Sequence, residues 1–213
     1  MGDVSPPDEQ PPSFPGQDEE EDKEKGAEVG HEKPKEPEKA EKEGPPLPPL
    51  TAAEFRQYNY LAEHMEQFHN SFRLQWRLLE GACTAQQLPP RTTVRQLLTQ
   101  GLRFASQLEM HHAIEEAHVF PSLAKRMPCF GKGAEHGAMI AQHKLIHTGL
   151  DEMRKYLEEC RDGRCRLEWL VLDTKMRAFG DVLWKHLEEE VTMLKAENMR
   201  KFWTTEEMKG LAF

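Results

Sequence analysis

Five histidines and two glutamates carry the chemistry this chain could do: His69, His111 with Glu115, His143 with His147, and His186 with Glu190. The three pairs read His-x-x-x-Glu, His-x-x-x-His and His-x-x-x-Glu. Residues four apart on a helix share one face about a turn apart, so each pair can grip one metal centre from a single helix. Imidazole and carboxylate donors without thiolates suit iron or manganese, and zinc less distinctively. The chemistry to expect is therefore metal binding, with no residue singled out as catalytic.

Four long helical patterns can position these seven residues. The first spans about Thr51 to Glu80 and ends at Gly81; the second runs from about Thr93 to Lys125, with Thr92 or Thr93 as N-cap and Pro121 kinking or ending it. A third covers about Ala134 to Cys160, and the turn RDGR leads into a fourth over about Leu167 to Met199. The closing TTEEMKGLAF suits one more helical turn or a loose tail. No segment alternates as a strand would. Short connections between long amphipathic helices favour antiparallel neighbours, so the spacing predicts an all-α, up-down four-helix bundle.

The seven residues fall within apolar stripes. Leu61, Met65, Phe72 and Trp76 flank His69 at helical spacing, and Phe104 and Leu108 precede His111. Met139, Ile140, Ile146 and Leu150 surround His143 and His147, while Phe179, Leu183, Met193 and Leu194 flank His186 and Glu190. A buried imidazole or carboxylate must be paired or must coordinate a metal, and seven on four helices point to a cation. The stripe through Phe104 and Leu108 selects His111 with Glu115, and sets His112 and Glu116 as supporting or surface groups. His118 also faces inward on this register and reads as a core histidine. His64 points elsewhere, and His136 and His31 read as solvated.

Composition divides the chain. Residues 1–50 hold 11 of the 15 prolines, 15 acidic residues and 6 lysines, and so carry all of the net charge of −9. The rest has 22 acidic and 22 basic residues. An acidic, proline-rich segment poor in aromatic and β-branched residues cannot offset its ordering entropy, so 1–50 reads as a disordered tail. Residues 51–200 read as the bundle and 201–213 as a C-terminal extension. The stretch GPPLPPL suits a stiff spacer or a docking segment for a protein partner. The neutral body gives no electrostatic case for nucleic acid or an anionic membrane. No apolar run is long enough to span a bilayer, and the N-terminus lacks a signal-peptide pattern, so a cytoplasmic location is expected, with the nucleus left open. Cys83, Cys129, Cys160 and Cys165 form no C-x-x-C pair and read as free thiols, with oxidative pairing of Cys160 and Cys165 open.

Neighbouring metal architectures fit less well. A ferritin-like di-iron centre needs more carboxylates than a third helix offering only histidines can give. HKLIH lacks the glutamate of a zinc-hydrolase HExxH motif. A mononuclear site leaves several buried groups unexplained, whereas seven ligands fit two metals.

The ordered set His…HHxxEE…FP…QHxxxH…HxxxE resembles the hemerythrin-like, HHE cation-binding domains. MEQFHN, HHAIEEAHVFP, QHKLIHTGL and HLEEEVTML are similar to single-domain members from fungi and bacteria, over about residues 52–196. The resemblance implies two iron ions in a non-haem di-iron centre, with zinc or manganese ranked behind, bridged by Glu115 and Glu190. By the same resemblance His143, His147 and His186 complete one iron, and His69 and His111 bind the other. The oxygen-carrying hemerythrins end in His-x-x-x-x-Asp, a spacing that lands here on Val191. His186 with Glu190 matches the variant of many hemerythrin-like sensors, and the segment from His69 to His111 is longer than in the carriers.

Three functions follow. The first is a non-enzymatic di-iron protein that binds or senses dioxygen, nitric oxide or iron. The second is a di-iron oxidase or peroxide-handling enzyme acting on a small metabolite. The third is a metal-sensing adaptor that recruits partners through its tail. An apolar lining and the lack of a plain substrate pocket or electron path favour the first.

Overall fold

A computed structural model describes residues 47–131 and 137–211. The expectations for the tail, for His31 and His136, and for the start of the third helix lie at least partly outside these residues. Those described are helical throughout, with no strand among them and no helix long and apolar enough to cross a membrane.

Helix α1 spans Ala52–Ala85 and opens with a reciprocal capping box between Thr51 and Glu54. It does not stop at Gly81. Ala82 and Cys83 are buried, so packing carries the helix onward until Gln86 takes a left-handed conformation with φ 50°. Helix α2, Val94–Ile114, starts from a second capping box, Thr93 with Gln96. It continues into a π segment, Glu115–Val119, and a last turn, α3, Phe120–Leu123.

The π segment is what the sequence pattern could not show. Pro121 lacks an N–H, and its ring would strike the carbonyl four residues back in a continuous α-helix; one inserted residue widens the turn there. The Phe120 N–H accordingly donates to the Glu115 carbonyl, five residues back. The insertion shifts the register by one residue. His118, expected to face inward, is exposed, and Val119 takes the buried position.

A 3₁₀ turn, Pro128–Phe130, precedes the undescribed 132–136, after which α4 covers Ala138–Arg161. Cys160 and Cys165, both free thiols, approach to 3.0 Å across the turn that follows. Helix α5, Trp169–Leu194, does not reach Met199 as expected. Lys195 is extended (ψ 152°), and the short α6, Ala196–Met199, sets off in a new direction. The break seats Ala196 and Met199 in the core, and the Ala196 N–H donates to the Asn59 side chain at 3.3 Å.

The C-terminal piece is a packed helical turn. Helix α7, Thr205–Met208, has its own capping box, Thr204 with Glu207. The Tyr58 hydroxyl donates to the Trp203 carbonyl at 3.0 Å, the Arg126 guanidinium lies 5.4 Å over the Trp203 ring, and Met208 and Leu211 are buried.

Helix α1 packs on α2 and α5, α2 on α4, and α4 on α5, forming a helical bundle. Two apolar clusters fill it. One holds Phe72, Trp76, Phe104, Leu150, Met176 and Leu183; the other holds Leu61, Met65, Phe120, Met139, Leu194 and Trp203. Along the chain, α1 and α4 pass from the second cluster to the first, α5 passes from the first to the second, and α2 lies in the first with its π continuation and α3 in the second. Between the two clusters lie the polar groups.

Candidate metal centre

Six buried polar residues occupy that boundary: His69, His112, Glu115, His143, His186 and Glu190, each at most 1% exposed. His111 joins them, its side chain 10% exposed. Two sets of ligand atoms are compact enough to hold an ion, His69–His111–Glu115–Glu190 and His112–Glu115–His143–His186. Glu115 belongs to both. Six of the seven residues expected from the sequence are therefore brought together.

His147 is the exception, and His112 stands in its place. His147 is half-buried, and its Nε2 lies 3.3 Å from His112 Nδ1, so it backs a ligand-competent ring without joining either set. One apolar stripe along α2 selects His111, but α2 has two neighbours, α1 and α4, and hence two inward faces. His111 turns toward α1, with its ring centroid 5.4 Å from that of His69 and 5.1 Å from that of Phe72. His112, about 100° further round the helix, turns toward α4 and stacks on His143 at 3.8 Å. The doublet His111-His112 was the available signal. Glu116, half-exposed, fits the supporting role expected of it.

Proton positions follow from the partners outside the cluster. The His143 Nδ1–H donates to Glu116 Oε1 at 2.8 Å, because a carboxylate can only accept. The His186 Nδ1–H donates to Gln142 Oε1 at 3.1 Å, while the Gln142 amide donates to Glu189 at 2.6 Å. With these tautomers, both Nε2 atoms present lone pairs to the centre. They lie 3.1 Å apart, which is repulsive for two bare lone pairs. Two nitrogens on one ion at bond lengths of about 2.1 Å stand roughly 3 Å apart, so a cation resolves the clash. A ring N–H turned outward to a carboxylate or carbonyl is the arrangement that orients metal-binding histidines.

The carboxylates tell the same story. Glu115 Oε1 is 2.8 Å from His111 Nε2 and its Oε2 is 3.4 Å from His143 Nε2. Glu190 Oε2 is 3.2 Å from His69 Nε2 and 3.9 Å from His186 Nε2. None of these contacts has hydrogen-bond geometry, and all four carboxylate oxygens, with His69 Nε2, His111 Nε2 and His112 Nε2, are buried without a partner. So many unsatisfied groups at one place are incompatible with a plain core. They fit a cation well.

Burial also keeps three of the imidazoles uncharged. It presses His69 and His186 down to about 3, helped by neighbouring histidines, and it depresses His112 further. Glu190 is pushed well up by burial and by the Glu115 charge. Burial alone would raise Glu115 too, but the His111 and His143 rings beside it prevail and hold it low. Neutral imidazoles with free lone pairs are the form a metal takes.

The model of the hemerythrin HHE cation-binding domain matches residues 60–196, well over half of the chain and the whole of the cluster. The chain belongs to the hemerythrin family of HHE cation-binding domains, and its buried histidine–glutamate cluster has the donor atoms and spacing to hold metal ions. Comparison with curated proteins and with solved structures gives no match.

Proposed function

We propose that this chain is a non-haem di-iron protein that binds or senses a small diatomic molecule, dioxygen or nitric oxide. The observation that carries the reading is Glu115. Its two oxygens face different histidines, and it is shared by two compact ligand sets. In this reading His69, His111 and Glu190 would hold one ion, His112, His143 and His186 would hold the other, and Glu115, which belongs to both sets, would serve each. The donor set of five imidazoles and two carboxylates suits iron better than calcium or magnesium. A ferrous pair held there supplies electrons and coordination positions for a diatomic ligand.

The protein's own residues do the rest. Glu116, Gln142 and His147 fix the ring orientations of His143, His186 and His112. Phe72 packs against the His111 ring at 5.1 Å and Phe120 against the His143 ring at 5.3 Å, giving the cluster apolar walls. The alternation of α1, α2 with its continuation, α4 and α5 between the two apolar clusters supports an up-down four-helix bundle as the frame.

The test is anaerobic purification with metal quantitation, followed by optical spectra during addition of dioxygen. Two irons per chain and reversible charge-transfer bands are expected. One zinc per chain, or rapid irreversible oxidation with product formation, overturns the reading.

A further inference from the structure

A cavity of about 440 Å³ lies between α1 and α2 and reaches from the surface to Glu115 and His111. Its rim is Phe68, Met110 and Ile114, exposed at 47%, 65% and 49%; its depth is formed by Leu61 and Met65, which are buried. Large apolar side chains left exposed together around an opening mark a place where something binds. The cavity also runs inward to buried groups, and both oxygens of Glu115 at its inner wall lack hydrogen-bond partners. That depth distinguishes it from a flat protein-docking face.

The lining also defines what fits. Among the described residues no lysine, arginine or aspartate borders the cavity. Of its outer polar groups, Gln107 Oε1 accepts from Gln75 at 2.9 Å, and the His64 ring packs against Tyr60 and Phe68. An anion would lose water and gain no cationic partner, and a cation would meet only Glu115, whose charge the metal ions take up in the di-iron reading. Size excludes a second answer. A diatomic gas needs little more than the roughly 30 Å³ of one water, whereas this volume falls in the range of sites for small organic molecules.

We propose that the cleft between α1 and α2 binds an uncharged, largely apolar organic molecule, with one end against Glu115 and His111. This rests on the di-iron reading only for what that end meets. It makes the centre one at which an organic compound and a diatomic ligand can be held side by side.

The full chain, carrying the metal it is purified with, is titrated with 1-aminonaphthalene, an apolar probe uncharged at neutral pH, and its fluorescence is followed. Saturable binding of one probe per chain is expected. Met110→Glu and Ile114→Glu, at exposed positions that the fold does not need, should each weaken it about tenfold or more, while Leu145→Glu, an exposed apolar position on α4, should leave it unchanged. Metal content should stay constant across all four proteins. Equal affinity in every variant, or no saturable binding, overturns the proposal. So does a wild-type dimer in sedimentation that Met110→Glu dissolves, for a second copy would then cover the cleft. If the wild type does not carry two irons but the probe pattern holds, the cleft stands and the di-iron reading falls.

Discussion

Glu190 is completely buried, faces His69 and His186, and has no hydrogen bond to either oxygen. In the metal-free chain it holds a proton that the unfolded chain releases, so its contribution to stability is lost as pH rises from the ordinary carboxylate range toward its raised value. Glu190→Gln should therefore raise the melting temperature of the metal-free chain at pH 8 while lowering metal occupancy, read by calorimetry and elemental analysis. A fall in both would show that Glu190 is structural only. The histidines act in the opposite sense. His69 and His186 are held at about 3, and His112 lower, so between pH 6.5 and 3 the unfolded chain binds protons that the folded chain refuses. Three such groups outweigh one carboxylate, and the metal-free chain should lose stability as pH falls from about 6.5. Metal-free urea titrations at pH 7.5, 6 and 5 measure this, and a midpoint that stays level or rises on acidification would contradict it.

At the scale of elements, close packing of α4 on α5 depends on Gly149. A Cβ there would lie 2.6 Å from Phe179 Cβ and 2.8 Å from its ring, so the two helices would have to separate. Gly149→Ala should gain helix propensity worth about 1 kcal/mol and lose more to overpacking, for a net destabilisation of about 1–2 kcal/mol in urea unfolding. Unchanged or increased stability would refute the close fit. The long helices were legible in the sequence because each carries one apolar stripe at helical spacing, and Leu61, Met65, Phe104, Leu150 and Leu183 are all buried as that pattern requires. Six of the seven expected residues fall in one buried cluster for the same reason. The remainder were set by tertiary structure. α1 outruns Gly81 because Ala82 and Cys83 are buried, His118 turns outward because a π segment precedes it, and His112 turns inward because α2 lies between two partners. A single-stripe count of periodicity sees none of these.

For the whole molecule, the C-terminal residues close the second apolar cluster. Trp203→Ala should cost about 3 kcal/mol, since it empties a mostly buried ring position beneath Arg126. Calorimetry checks this, and a loss below about 1 kcal/mol would mean that the extension is peripheral. The larger consequence comes from the layer of unsatisfied polar groups lying between the two clusters. Without an ion that layer is a seam of mutual repulsion, so neither half gains much from its neighbour's order. Cooperativity then becomes a property conferred by the cation. The metal-free chain should melt in two overlapping steps and the loaded chain in one sharp step, and a single sharp calorimetric transition in both states would deny the seam. A cell short of metal would then hold a chain half of which can open by itself, so supply of the ion would be read out as the lifetime of the protein.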